Sequence, residues 1–287
     1  MEVYVVQPFG YCKGVQQAIV LAERAKQENP KIPVYLLGML VHNEETIEEL
    51  SRQGILFLDE KDGPLEELIQ RIPDGSAIVF SAHGHAESLD EIAKEKHLRI
   101  YDATCSFVKE NLSEAREAGK SSPIIYLGVN GHLESQAFQA NYPGCFFYDV
   151  GSGEGDWEDV RAAAPHLISQ TTLSDSEIAA AHAKLKERYP DLMIGKERCR
   201  STSLRQDAIR KLPKDIDLVI VLGSSRSNNS RKLFEIAQEE GRKAVLALGL
   251  EEIRKIDLSN AKKVALASGA STSPSTFKAC HEYLKRL

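Results

Sequence analysis

Apolar residues fall into two alternating patterns along the chain. Short runs bounded by Gly, Pro or polar clusters read as strands: Val3–Pro8, Val34–Leu37, Ile55–Leu58, Ala77–Phe80 and Leu98–Tyr101. Between them, apolar positions recur at helical spacing. The clearest set is Val15, Ala18, Ile19, Ala22 and Ala25, ending near Gln27, and further helices are predicted over Glu44–Gln53, Leu65–Arg71 and Ser88–Lys96. The same order then returns. Helix Phe107–Ala118 leads to strand Ile124–Leu127, a helix, strand Phe146–Tyr148, helix Trp157–Ala164, strand Leu167–Ser169, helix Ser174–Arg188 and strand Leu192–Ile194. A third round has helix Ser203–Leu212, strand Leu218–Leu222, helix Arg231–Glu240, strand Ala244–Leu248, helix Glu251–Lys255, strand Lys263–Ala267 and helix Pro274–Arg286. Strands alternating with helices imply an α/β fold with mainly parallel sheets. Recurrence of the whole unit predicts three similar α/β lobes, residues 13–104, 105–198 and 199–287, with the N-terminal strand 1–12 near the lobe junction.

The polar clusters that close the strands echo one another. Each round opens on a cysteine where a strand gives way to a helix: Cys12 in Gly10-Tyr11-Cys12-Lys13-Gly14, Cys105 in Asp102-Ala103-Thr104-Cys105, and Cys199 in Arg198-Cys199-Arg200. The intervals are 93 and 94 residues. Two more polar stations follow at matching distances: His42 and His83, then His132 and Thr171, then Ser227 and Ser271. Parallel sheets collect ligands beyond the carboxyl ends of their strands. The pattern therefore predicts a pseudo-threefold arrangement of the lobes, with nine stations facing one central cavity.

A cysteine at a helix start meets the positive end of the dipole, which favours thiolate, and Lys13 and Arg198 would add positive charge. Three such thiolates suit three corners of an iron–sulfur cluster, or a tris-thiolate zinc with an open position. The remaining stations are neutral hydrogen-bonding residues, which suit a phosphate or diphosphate near helix N-termini. Glu134 is the one carboxylate at a station, and beside Thr171 it could move protons. Gly151–Asp156 is glycine-rich but acidic, so it reads as a loop and not a phosphate cradle. Cys145 and Cys280 lack the junction context and read as buried thiols.

Totals narrow the classes. A chain of 287 residues suits two or three compact domains, and 42% hydrophobic with 27% charged residues is ordinary for a globular protein. A net charge of −6 argues against a broad nucleic-acid footprint. Five widely spaced cysteines do not resemble a secreted disulfide framework. No apolar run approaches a membrane span and no signal peptide is apparent, so a cytoplasmic location is expected.

Taken in order, the stations resemble those of the 4-hydroxy-3-methylbut-2-enyl diphosphate reductase family, over essentially the whole chain. The motifs are Gly-Tyr-Cys-Lys-Gly-Val at 10–15, Val-His-Asn at 41–43, Ser-Ala-His-Gly at 81–84 and Asp-Ala-Thr-Cys at 102–105. Gly-His-x-Glu at 131–134, Ser-Gln-Thr-Thr-Leu-Ser at 169–174, and the Gly-Ser-Ser and Gly-Ala-Ser elements complete the set. The resemblance implies a 4Fe-4S cluster held by Cys12, Cys105 and Cys199, with a unique iron that binds the departing oxygen. It implies an allylic diphosphate bound by His42, His83, His132, Ser227, Asn228, Asn229 and Ser271, with Glu134, Thr171 and His132 at the reacting hydroxyl. Electrons would come from a ferredoxin or flavodoxin. Departures from the family pattern fall at Ser106 and Leu133, where proline is usual, at Asn228, where serine is usual, and at His85 and the Arg-rich surroundings of Cys199. They leave room for a reductase of a related allylic or phosphorylated alcohol. A non-redox iron–sulfur lyase or hydratase, and a non-enzymatic metal- or phosphate-binding protein, are the other readings.

Overall fold

The computed structural model describes residues 1–161, 164–195 and 199–287. Arg198 and part of the predicted helix Trp157–Ala164 lie outside them. The chain is α/β, with three four-stranded sheets in which every strand pair is parallel. It divides into two compact units: one of Met1–Val15, His42–Thr46 and Cys199–Leu287, the other of Gln16–Val41 and Ile47–Arg198.

The elements run in order β1 (Glu2–Val5), α1 (Lys13–Glu28), β2 (Val34–Leu37), α2 (Glu44–Arg52), β3 (Leu56–Leu58), α3 (Leu65–Gln70), β4 (Ala77–Phe80), α4 (Ser88–Glu95) and β5 (Arg99–Asp102). They continue with α5 (Ser106–Ala118), β6 (Ile124–Gly128), α6 (Leu133–Asn141), β7 (Phe146–Asp149), β8 (His166–Ser169), α7 (Asp175–Arg188) and β9 (Met193–Ile194). The last are α8 (Arg200–Arg210), β10 (Leu218–Leu222), α9 (Asn228–Glu239), β11 (Ala244–Ala247), α10 (Leu250–Ile253), β12 (Lys263–Ser268) and α11 (Pro274–Arg286).

The larger unit holds two sheets, ordered β3-β2-β4-β5 and β7-β6-β8-β9. The smaller holds the third, β11-β10-β12-β1. The three orders are the same, except that the fourth strand of the last sheet is the first strand of the chain. β1 pairs with β12 from Glu2–Lys263 to Val5–Leu266. Each cysteine station therefore follows the edge strand of a sheet: Cys12 follows β1, Cys105 follows β5 and Cys199 follows β9.

Position in the sheet explains the strand sequences. β4, β6 and β10 are central and buried at every residue, so they read as unbroken apolar runs. Full burial of each such Leu, Ile or Phe contributes roughly 1.5–3 kcal/mol. The expected buried strand Val3–Pro8 is corrected in kind and in length. β1 ends at Val5 and alternates exposed with half-buried residues, because it is an edge strand covered on one face.

The predicted helix Trp157–Ala164 is also corrected. The chain makes one short 3-10 turn over Asp156–Asp159 and becomes extended at Val160. The Trp157 ring is drawn into the core between Tyr148 and Tyr189, with centroids 5.4 and 6.5 Å away. Helices α8 and α9 begin three residues before the predicted Ser203 and Arg231, directly after Cys199 and Ser227. The polar first turns of both carry no apolar periodicity to mark them.

Candidate active site

In the smaller unit, Cys12, Cys199, His42, Ser227, Asn228, Asn229 and Ser271 share one body. The Cys12 turn is built on backbone. Gly10 sits at φ +75°, and its N–H bonds Ser268 Oγ at 2.9 Å. Cys12 N–H bonds Ala270 O at 2.9 Å, the carbonyl just before Ser271. Cys12 Sγ accepts the N–H of Val15 at 3.4 Å, so the sulfur caps the start of α1. Burial pushes the Cys12 thiol up, and the nearby Cys199 adds to that, while the Val15 bond and the Arg205 guanidinium pull it down.

The His42 segment is tied to the same strand end. Ser271 Oγ donates to His42 O at 3.1 Å, and Asn43 Nδ2 donates to Ser271 O. Asn43 Oδ1 accepts Thr46 N–H at 3.3 Å in the first turn of α2. Glu44 accepts from Ser224 Oγ at 3.0 Å, and Glu45 accepts from Thr276. Ser227 caps α9 by accepting Ser230 N–H at 3.3 Å. Asn228, Asn229 and Ser230 follow, all buried. Both amide atoms of Asn229 are buried without a hydrogen-bond partner among the described residues. A buried amide with nothing to bond is costly, and a ligand oxygen at the start of α9 would satisfy it.

The larger unit holds Cys105, His83, His132, Glu134 and Thr171. Cys105 N–H bonds Ala82 O at 3.0 Å, the carbonyl just before His83. This repeats the link of Cys12 to Ala270, one residue before Ser271. Gly84, at φ +90°, brings the His83 loop against α5 and α6: a Cβ there would stand 3.2 Å from Val108 Cγ1 and 3.4 Å from Ala137 Cβ. Burial holds the His83 imidazole down to about 4, so it is neutral. Its ring meets His132 edge-on, with centroids 5.7 Å apart. His132 Nδ1 accepts Glu134 N–H at 3.1 Å and caps α6. In the neutral tautomer the proton is then on Nε2.

Glu134 is 2% exposed. Its Oε1 accepts Thr171 N–H and its Oε2 accepts Thr171 Oγ1–H, both at 2.8 Å. Burial pushes the carboxyl up to about 7, against the pull of those two bonds. Glu134 lines a cavity of 350 Å³ with Tyr126 and Asn141, and Thr171 lines another of 380 Å³ with Ser169 and His182. Asn111 borders both, donating to Ser169 O at 2.9 Å. Gln170, fully buried, ties the ends of β6 and β8 together. Its Oε1 accepts Val129 N–H at 2.9 Å and Ser135 Oγ at 3.2 Å, and its Nε2 donates to Thr172 at 2.8 Å.

The departures from the family pattern find a local reason. Ser106, Leu133 and Asn228 are each the first residue of a helix, α5, α6 and α9. Proline is at home there because that N–H has no intrahelical partner. Cys105 and His132 hold ψ 141° and 137°, the extended values that precede proline, and Ser273 holds 146° before the real proline of α11. His85 is stacked on Phe80 with centroids 3.7 Å apart, and its Nε2 lies 3.3 Å from Asp90.

Four contributors were given no role from the sequence: Asn43 and Gln170, which lie inside the quoted motifs, and Ser230 and Arg205. One signal was available for Ser230. Gly128 and Ser135, and again Gly223 and Ser230, are seven residues apart, and a Cβ on either glycine would strike the serine hydroxyl at 2.5 and 2.2 Å. Cys145 is half-buried and Cys280 fully buried, their thiols pushed up to about 11 and about 12 by burial. Among the described residues no three His, Cys, Asp or Glu side chains gather round a single ion position, and no helix is long and apolar enough to cross a membrane.

A model of the LytB protein family matches residues 3–285. A Symbiobacterium thermophilum protein named 4-hydroxy-3-methylbut-2-enyl diphosphate reductase is 37% identical, over all of this chain and 97% of its own. One of the same name from Anoxybacillus flavithermus is 34% identical, over all of this chain and 91% of its own. The solved E-1-hydroxy-2-methyl-but-2-enyl-4-diphosphate reductase of Plasmodium falciparum superposes with a TM-score of 0.87 at 30% identity, covering 99% of this chain and 88% of that one. A second solved structure, of (E)-4-hydroxy-3-methyl-but-2-enyl diphosphate reductase, superposes at 0.68 and 22% identity over both chains in full, and speaks for the fold.

Proposed function

The chain belongs to the LytB protein family, and on that premise we propose that it reduces 4-hydroxy-3-methylbut-2-enyl diphosphate to isopentenyl and dimethylallyl diphosphates. Two electrons and two protons enter, the allylic C–O bond breaks, and the oxygen leaves as water. The observation that carries the reading is the buried Glu134–Thr171 pair, a carboxyl held near neutrality by its surroundings and joined at two points to a hydroxyl.

Cys12, Cys105 and Cys199 would hold a 4Fe-4S cluster. The donor set suits it. All three are free thiols, partly buried, each directly preceding a helix. Three corners of a cluster also stand farther apart than three ligands of one ion. The bound cluster supplies electrons and one iron corner without a protein ligand. We keep residues 13–104, 105–198 and 199–287 as the three lobes, with Cys12 immediately preceding the first and Cys105 and Cys199 opening the other two.

The chain's own groups handle protons and the diphosphate. With Glu134 ionised, Thr171 Oγ1–H points to Oε2. Once Glu134 is protonated it donates to Thr171 Oγ1, and the threonine proton is free to turn to the substrate hydroxyl. A carboxyl near 7 holds that proton at neutral pH without being too weak an acid to release it. His132, with its Nε2–H, offers a donor to oxygen without a fixed charge, beside the neutral ring of His83. His42, Ser227, Asn228, Asn229 and Ser271 would take the diphosphate, with Asn229 supplying an amide that has no other partner among the described residues. We place the protein in the cytoplasm and assign its electrons to a ferredoxin or flavodoxin.

The test is anaerobic reconstitution with iron and sulfide, followed by addition of the diphosphate. Cluster absorption that changes on adding substrate is expected. A protein that takes up no cluster overturns the reading.

A further inference from the structure

Arg205 lies on α8, six residues beyond Cys199, and is 3% exposed. No other lysine or arginine among the described residues is as buried. A guanidinium in that position loses its hydration and is normally matched by a carboxylate. Here it is not. Nη1 donates to Pro8 O at 2.9 Å and to Ser268 O at 3.0 Å, with Ser268 Oγ at 3.4 Å, and Nη2 donates to Gly10 O at 2.7 Å. All these acceptors are neutral. Among the described residues, the ionisable groups that bear on it are the thiols of Cys12 and Cys199. Its Nε–H is buried with no acceptor among the described residues.

The same contacts make a clasp. Arg205 grips the carbonyls on both sides of Phe9, three residues before Cys12, and fastens them to the end of β12. Ser268 Oγ completes the link by accepting Gly10 N–H. One side chain thus fixes the turn that carries one thiolate, from the helix that begins at the other. Among the described residues the two cysteines are the ionisable groups that bear on Arg205, and Nε keeps a donor without an acceptor.

We propose that Arg205 is a positioning residue for Cys12 and Cys199 whose buried charge raises the potential at which the bound cluster accepts an electron. This rests on the reading that these cysteines hold a cluster. Adding an electron makes the cluster more negative, and a fixed positive charge in a poorly hydrated site favours that state. Arginine cannot escape the role by losing its proton.

The experiment is a spectroscopically monitored redox titration of the reconstituted wild type, Arg205→Gln and Arg205→Lys. In Arg205→Gln the one-electron equilibrium should shift at least tenfold toward the oxidised cluster, about 59 mV lower. Arg205→Lys, which keeps the charge, should stay within a third of that shift. A Gln variant at the wild-type potential overturns the proposal, and so does a Lys variant that falls as far as Gln. If Arg205→Gln does not fold or load, Arg205→Met decides, because it keeps an unbranched side chain and removes the charge. A lower potential there supports the proposal, and an unchanged one overturns it. A wild type without a cluster would instead remove the reading on which the proposal rests.

Discussion

At Glu134 two effects oppose each other. Burial raises the carboxyl to about 7, and the bonds from Thr171 hold it back. If the protonated form donates, wild-type kcat declines as pH rises through about 7. Glu134→Gln should lower kcat by roughly 10²–10⁴ and flatten that limb, while the cluster spectrum stays unchanged. Stability has its own sign. The folded value lies above the ordinary 4.5, so the native state keeps a proton that the unfolded chain releases, and stability is lost as pH rises from 4.5 to about 7. His83 runs the other way: held down from 6.5 to about 4, it costs stability as pH falls across that window. Urea unfolding at stepped pH should show Glu134→Gln losing only the first slope. Cys12→Ser, Cys105→Ser and Cys199→Ser should each lower bound iron after reconstitution, whereas Cys145→Ser should not. These groups were legible in the sequence because their chemistry is in the residue type. Arg205 and Gln170 were not, because an arginine or glutamine that binds backbone looks the same in sequence as one in solvent.

Helix starts carry the stations. Cys105, His132, Ser227 and Ser273 share one extended conformation before the first helical residue, and α11 shows that proline fits there. Ser106→Pro should therefore change stability by no more than about 1 kcal/mol and leave cluster loading intact. Glu110→Pro, one turn further into α5, should cost about 3 kcal/mol or more. Thermal unfolding of the two variants reads the difference, and equal losses would contradict the account. The altered residues beside the second cysteine and between His132 and Glu134 are thus substitutions at a tolerant backbone position. Apolar periodicity located the helix bodies but could not mark α8 and α9, whose polar first turns follow Cys199 and Ser227.

For the whole molecule, the threefold recurrence was legible because the strand and helix periods repeat. The place of β1 was not, because pairing between Val3 and Val264 leaves no local trace in sequence. The α11 to β1 step corresponds to β4-α4-β5 and β8-α7-β9, with the covalent link missing. A circular permutant that joins Leu287 to Met1 by a Gly/Ser linker, reopened between Lys120 and Ser121, should load a cluster as the parent does. Failure to fold would show that β1 is not an interchangeable fourth strand. The most direct test of the whole account is anaerobic turnover of 4-hydroxy-3-methylbut-2-enyl diphosphate by the reconstituted protein, with and without a low-potential reductant. Isopentenyl and dimethylallyl diphosphates should form in a ratio of one product per two electrons, and none without reductant. Product formed without electrons, or none with them by a cluster-loaded protein, would contradict it.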